Sequence, residues 1–454
     1  MRRSLLAALL AAALLPLAAG SRASARPPAV GAPAALAPAA AGVQAASALR
    51  HLVLLVDGVP YEVMDSLQRA GHFRAFEPAG AVISTFPSLT GVAFQEIWGE
   101  PPAAGYEDRY YDAGQNRMAG GLLEHVMKGA ADEGFLRHVE VEAHPLTGGL
   151  TYVAPQLFGD MELDALRRQV EERAVWDERI VAYMVSTDAL GHRAGREGMA
   201  RFLVQVDTML EGLRARYGPR LRIDLVSDHG NDLVPTRGAP LEEALVAGGL
   251  RPVARLEAPG DVVLPRFGLV GAAFAFSAAE DRTRLASALA GAPGVELVAW
   301  LTGPRTVELL GPGGRAVVQG HAAGARYRYL PTDGDPLGLG PALVDMQARG
   351  VADAQGWAPD SAWLAASRAT PFVDSVRRLV EGMNDAVVHR ATVVVSLAPG
   401  WHWGDAGAEL LVDVTGTHGS LRTTSSLGMV MSTHRAAPAL LRAGQVAGLL
   451  KLRR

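Results

Sequence analysis

The sequence predicts an α/β protein: a three-layer α/β/α sandwich around a mostly parallel sheet, with an α+β insertion. Three observations predict it. Apolar runs of strand length alternate with helical patterns. The first run, Leu52 to Val56, is apolar at every position, as in a central strand covered on both faces. And several runs stop at a carboxylate with a glycine close behind, where open α/β sheets hold ligands.

The chain has 454 residues, enough for a large core in one or two domains. Its net charge is -4 with both signs spread along its length, so no nucleic-acid-binding surface is evident. Cysteine is absent. That excludes a disulfide framework and thiolate zinc sites, leaving His and carboxylates as metal ligands.

Residues 1–25 read as a secretory signal: Arg2 and Arg3, an apolar stretch from Leu5 to Leu17, and Ala23-Ser24-Ala25 as a cleavage site. Pro16 and the short apolar stretch argue against a stable membrane anchor. Residues 26–48, mostly Ala and Pro, have a linker's composition. The expected location is periplasmic or secreted.

The folded region, 49–454, opens with the strand Leu52 to Val56 and Asp57-Gly58, followed by the helical VPYEVMDSLQRAG. Ala81 to Ile83 is a second short strand. After it, Val92 to Trp98 has helical spacing, with Thr90 at the expected N-cap. A hydroxyl there either caps the helix or faces an anion held over the helix amino end. Gly105 to Gly120 reads as a surface loop, and helices are expected at Leu122 to Asp132 and Leu163 to Trp176. The strand Glu178 to Val185 leads to Asp188 and His192, four residues apart, and then to a helix from Arg196 to Tyr217. Ile223 to Val226 is a buried-type strand ending in Ser227-Asp228-His229-Gly230-Asn231.

Beyond Asn231 the pattern changes to short strands with Gly-Pro turns, the α+β insertion of about 240–390. Strands are expected at Val262 to Leu264, Ala272 to Phe276, Val295 to Leu301, Thr306 to Leu310 and Ala316 to Gln319. Helices are expected at Leu241 to Gly249, Thr283 to Leu289 and Pro371 to Met383, while 321–366 reads as loop-rich. Strands at Ala391 to Leu397, Glu409 to Val414 and Gly428 to Met431 complete the pattern, and His418 lies in a turn between glycines. Trp401, His402 and Trp403 are candidate walls of a substrate site or simply packing residues; His321 and Asn231 stay open.

Asp57, Asp188, Asp228 and His229 fall at or just after strand ends, and His192 and His418 flank glycines. In a doubly wound sheet these meet at one edge. Carboxylate and imidazole without thiolate suit Zn²⁺, with Mn²⁺ or Fe as weaker options. Six such groups are enough for two divalent ions about 4 Å apart, the separation used in phosphoryl displacement.

The segments LLVDG, FPSLT, TDALGH, SDHGN and GTHGS occur in that order between about residues 49 and 435. Together they resemble the alkaline phosphatase superfamily, and within it the type I phosphodiesterase (nucleotide pyrophosphatase-like) branch. The resemblance implies one metal held by Asp57, Thr90, Asp228 and His229, and another held by Asp188, His192 and His418. It also implies that Thr90 attacks phosphorus, giving a phospho-threonine, with a small-molecule phosphodiester or phosphomonoester as substrate. One departure matters: the branch often has Asn three residues after the nucleophile, and here that position is Ala93. Thr85, in Thr85-Phe86-Pro87-Ser88, imitates the motif locally and is the alternative nucleophile. A sulfatase is disfavoured for want of a formylglycine context, and a serine hydrolase for want of G-x-S-x-G. A phosphoglycerate mutase would need Ser88 as nucleophile, and an exported location argues against glycolysis. The alternative of another class is a non-catalytic binding or scaffolding protein on the same fold.

Overall fold

The computed structural model describes residues 48–121, 134–142, 151–405 and 413–452. The expected signal, the linker up to residue 47, the helix Leu122 to Asp132 and most of the strand Glu409 to Val414 lie outside the described residues.

Seven strands form the central sheet: β1 (His51–Val56), β2 (Gly80–Ile83), β3 (Val141–Glu142), β4 (Arg179–Met184), β5 (Arg222–Val226), β6 (Leu427–Ser432) and β7 (Leu440–Arg442). Their spatial order is β7-β2-β6-β5-β1-β4-β3. β1 runs parallel to β4 and β5, and β2 to β7. Among the described strands of this sheet only β6 is antiparallel to its neighbours.

The apolar character of β1 at every position follows from the layers. Side chains alternate faces along a strand, and both faces are covered. Leu52, Leu54 and Val56 pack under the helices Tyr61–Arg69, Pro155–Arg173 and Ser186–Tyr217. Val53 and Leu55 pack under the helices Thr90–Trp98 and Ala443–Leu450. This is the predicted three-layer α/β/α sandwich around a mostly parallel sheet.

A second sheet of nine strands lies between Arg251 and Leu397. It is mostly antiparallel, with helices on both faces. Here the loop-rich expectation for 321–366 is corrected: Arg326–Gly334 is a strand, and Gly340–Ala348 and Asp360–Ser367 are helices. Pro331 and Asp333-Gly334 read as a turn yet end a strand, and Gly340-Pro341 begins a helix, where proline's missing N–H costs nothing. The helix expected from Leu163 begins earlier for the same reason, at Pro155. Among the described residues no helix is long and apolar enough to cross a membrane.

Candidate metal centre

Strand register alone brings the first group together. Leu55 of β1 lies beside Val226 of β5 and Tyr183 of β4. Two residues on, the same pleat face carries Asp57 and Asp228 past the carboxyl ends of their strands. The helix Thr90–Trp98 covers that face with Phe94, Ile97 and Trp98. Thr90, one turn before Phe94, therefore arrives over Asp57. Its Oγ1 lies 3.1 Å from Asp57 Oδ1 and 3.2 Å from His229 Nε2. His229 Nε2 is also 3.3 Å from Asp228 Oδ2 and 3.5 Å from Asp57 Oδ1.

The second group forms at the amino end of the helix Ser186–Tyr217. Asp188 lies in its first turn, where the dipole favours a carboxylate. His192, one turn later, puts Nε2 3.3 Å from Asp188 Oδ2. Gly195, at φ 61°, breaks this short turn from the run that begins at Arg196. His418 Nε2 is 3.6 Å from Asp188 Oδ1. Its loop is held by Thr415 N–H donating to His192 O and Gly271 N–H donating to His418 O. Gly58 joins the groups. Its N–H donates to Asp228 Oδ1 at 3.3 Å, its φ is +62°, and a Cβ there would lie 2.6 Å from Asp188 Oδ1.

All of these ligand candidates except Thr90, which is half-buried, are closed off from solvent. Burial, with Asp228 and Asp188 close by, pushes the Asp57 carboxyl well above its ordinary value. Burial raises Asp228 in the same way, with Asp188 adding to it. For Asp188 burial acts upward too, but the imidazoles of His192 and His418 outweigh it and hold the carboxyl low. Burial, then the neighbouring His418, pulls His229 well below the usual imidazole range, and burial also lowers His418. Both shifts favour the neutral imidazole. His229 Nδ1 donates to Gly230 O at 2.8 Å and His418 Nδ1 to Ser88 O at 2.9 Å. Each Nε2 is left as a lone pair, the arrangement that orients a metal-binding histidine.

Asp57, Asp228 and His229 offer ligand atoms all within 4.8 Å of one another, and so do Asp188, His229 and His418. Asp228 Oδ2 and Asp188 Oδ1 are buried without a hydrogen-bond donor. Buried carboxylates with no Lys or Arg bonded to them, two of their oxygens lacking any donor, make a site that divalent cations fit.

The sequence-predicted residues mostly meet here, with adjustments. Thr90 is the first helical residue; Leu89, in extended conformation, occupies the N-cap that the sequence assigned to Thr90. Thr85 points elsewhere, its hydroxyl donating to Pro87 O at 2.8 Å. His192 touches the outer oxygen of Asp188 and does not belong to the 4.8 Å groups. The tryptophans are packing residues. Trp403 is buried under Arg266 and donates to Pro265 O, and Trp401 stacks beneath Arg237. Asn231 is buried in its own turn, accepting from Leu233 N–H, and His321 lies in an exposed turn.

Two tyrosines escaped the sequence reading. Tyr183 O–H donates to Asp57 Oδ2, and Tyr152 O–H to Asp188 Oδ2 at 2.7 Å. Burial raises both phenols well above their ordinary value, so they stay protonated donors. Each holds one carboxylate oxygen and leaves the other facing the shared space. A tyrosine inside an apolar strand needs a partner for its hydroxyl, and for Tyr183 that was the available signal.

The fold and site define an α/β protein with a buried Asp/His centre at the carboxyl edge of its main sheet. The structure of human ectonucleotide pyrophosphatase/phosphodiesterase 5 is similar at a TM-score of 0.47 and 11% identity, over 88% of this chain and 93% of that one. Phosphonoacetate hydrolase from Sinorhizobium meliloti, in complex with phosphonoformate, gives 0.46 and 13% over 88% and 94%. The murine pyrophosphatase/phosphodiesterase 5, in complex with AMP, gives 0.44 and 12% over 89% and 94%. No protein-family model and no curated protein matches the chain.

Proposed function

We propose that this chain is an exported, metal-dependent hydrolase of small-molecule phosphoric esters, with Thr90 as nucleophile. One observation carries the proposal. The Thr90 hydroxyl lies between Asp57 Oδ1 and His229 Nε2 at the amino end of a nine-residue helix. Open space adjoins that end, for nothing lies within 4 Å of a Cβ built on Gly91. Export rests on the charged, apolar and A-x-A pattern of residues 1–25.

Asp57, Asp228 and His229, with Thr90, would hold one cation, and Asp188 and His418 the other, with His192 beside them. Zn²⁺ suits this donor set best. Three carboxylates and a threonine alkoxide carry four negative charges, which matches two divalent ions. When bound, such ions supply a lowered pKa for coordinated hydroxyls and a counter-charge for phosphoryl oxygens. The chain's own groups do the rest. Asp57 and His229 flank Thr90 Oγ1 and aim it at phosphorus, and the hydroxyl proton passes to solvent as the alkoxide forms. The free N–H groups of the helix's first turn, Gly91 among them, face the equatorial oxygens. Thr90 Oγ forms a bond to phosphorus as the ester oxygen leaves. Water then cleaves the phospho-threonine and returns the hydroxyl.

The test is turnover of p-nitrophenyl phosphate and bis(p-nitrophenyl) phosphate by purified protein, with chelator and with Zn²⁺ restored. Zinc-dependent release of p-nitrophenolate from either supports the reading. Silence on both with zinc restored overturns it in favour of a binding protein.

A further inference from the structure

Arg378 lies on the helix Ser375–Asp385, is 5% exposed, and has no carboxylate on its guanidinium. Asp374, whose charge acts on it, is bonded instead to Arg442. A buried charge with no bonded counter-ion is costly unless hydrogen bonds compensate it. Here the compensation comes mainly from two separate segments, with Val373 O beside the helix start adding a third. The two N–H groups of Nη2 are shared among Thr85 O at 2.8 Å, Ser88 Oγ at 3.1 Å and Ser426 Oγ at 2.6 Å; Nη1 donates to Val373 O and Leu421 O. The first segment leads into Thr90, and the second follows His418.

Ser88 is the joint between them. Fully buried, it bonds Ser426 Oγ and Ser420 O through its hydroxyl, while its carbonyl accepts His418 Nδ1–H. The helix lies directly on this loop: a Cβ on Gly382 would sit 1.9 Å from Phe86 O. Thus Arg378 fixes Ser88, Ser88 fixes the tautomer and direction of His418, and the same loop delivers Thr90 two residues later.

We infer that Arg378 is the positioning residue that keeps the Thr90 nucleophile and the His418 ligand in register, a role that rests on the hydrolase reading above. It touches neither substrate nor the reacting atoms. Its other side borders a cavity of about 580 Å³ also lined by Ser84, Gln95 and Arg377. That opening allows a guanidinium ion to reach the place of the side chain in a truncated variant.

The experiment compares the parent with Arg378→Ala and Ser88→Ala, loaded with Zn²⁺. For Arg378→Ala a displacement of the nucleophile on the order of 1 Å lowers kcat about 100-fold. KM stays near the parent's. Zinc affinity, read by chelator competition and not by activity, falls about 10-fold or more. Millimolar guanidinium restores part of kcat, and the same concentration of sodium does not. Ser88→Ala, which keeps the carbonyl but loses the hydroxyl, lowers kcat in the same direction with an unchanged fold by circular dichroism. It decides the matter if the arginine variant does not fold. Parent-like kcat and zinc affinity in Ser88→Ala, or in a folded Arg378→Ala, overturn the inference, as does a kcat loss indifferent to guanidinium. A parent that neither binds zinc nor turns over ester sinks the hydrolase reading and this inference with it. An active parent with unaffected variants sinks only the second.

Discussion

The imidazole of His229 lies parallel to that of His418, with ring centroids 3.9 Å apart and 14° between the planes. Two stacked imidazolium ions would repel strongly, so the pair is stable with both rings neutral. Each ties Nδ1–H to a backbone carbonyl and turns Nε2 toward a different carboxylate, Asp57 and Asp228 for one ring and Asp188 for the other. His229 is the member that the two candidate ligand groups share.

Replacing Thr90 tests the chemistry while leaving every Asp and His of the two groups in place. Thr90→Ala lowers kcat by at least about 10³-fold, the scale on which losing a nucleophile acts. Thr90→Ser keeps a hydroxyl on the same atoms and retains a measurable fraction. Zinc binding, measured by chelator competition, is kept in Thr90→Ser and weakened but not abolished in Thr90→Ala, because Asp57, Asp228 and His229 remain. Unchanged kcat in Thr90→Ala excludes it as nucleophile.

Metal removal destabilises the protein. A ligand that binds only the folded state adds about 2.7 kcal/mol at 100-fold excess over Kd. For a folded region of about 400 residues, with an unfolding entropy of about 2.1 cal/mol/K per residue, each kcal/mol shifts Tm by about 1 °C. Calorimetry therefore shows Tm rising by about 3 °C when zinc is returned to chelated protein. No shift means that zinc is not held there.

Without metal, the raised Asp57 carboxyl sets a pH dependence of definite sign. In the unfolded chain it ionises near pH 4; in the fold, burial and the neighbouring carboxylates hold the proton on to higher pH. Its contribution to stability is full below the unfolded value and is lost as pH rises through the folded one. Asp57→Asn removes that loss. In chelator the variant has the higher Tm at about pH 8, and the gap closes toward pH 4. With zinc the order reverses, because the parent alone keeps the full ligand set. A variant less stable than the parent in chelator at high pH contradicts the electrostatics.

Tyr183→Phe strips the donor from Asp57 Oδ2 and leaves a buried acceptor unmet, costing about 1–3 kcal/mol. Loss of such an outer partner lowers metal affinity about 10–100-fold. Equilibrium unfolding and zinc titration read the two effects separately; parent-like values in both would show that the bond does not matter.

Gly58→Ala places a methyl group 2.6 Å from Asp188 Oδ1 in a backbone conformation that L-residues avoid. Activity falls steeply, and zinc affinity falls with it. A fully active Gly58→Ala would mean that the two groups tolerate separation.

Much of this centre was legible because strand ends and helix turns are local. The apolar run before Asp57, the run before Asp228-His229 and the four-residue step from Asp188 to His192 each declare themselves within a few residues. Position in the site depended on longer relations. Tyr183 meets Asp57 only through the pairing of β4 with β1, and Arg378 reaches Ser88 across 290 residues. Neither relation leaves a local pattern. The second sheet was partly hidden because Tyr327 and Tyr329 alternate for too few residues before Pro331 breaks the period.

The antiparallel strand β6 has a consequence for how the protein is made. It arrives from residues 427–432 yet lies between β2 and β5, both formed from the first half of the chain. Until a ribosome has delivered that late segment, the strand leading to Thr90 has no neighbour through which to reach the one leading to Asp228. The pairing that brings the strand before Thr90 beside the strand before Asp228 is therefore of high sequence separation, the slow-forming kind, and the sheet closes only once Leu427–Ser432 is in place.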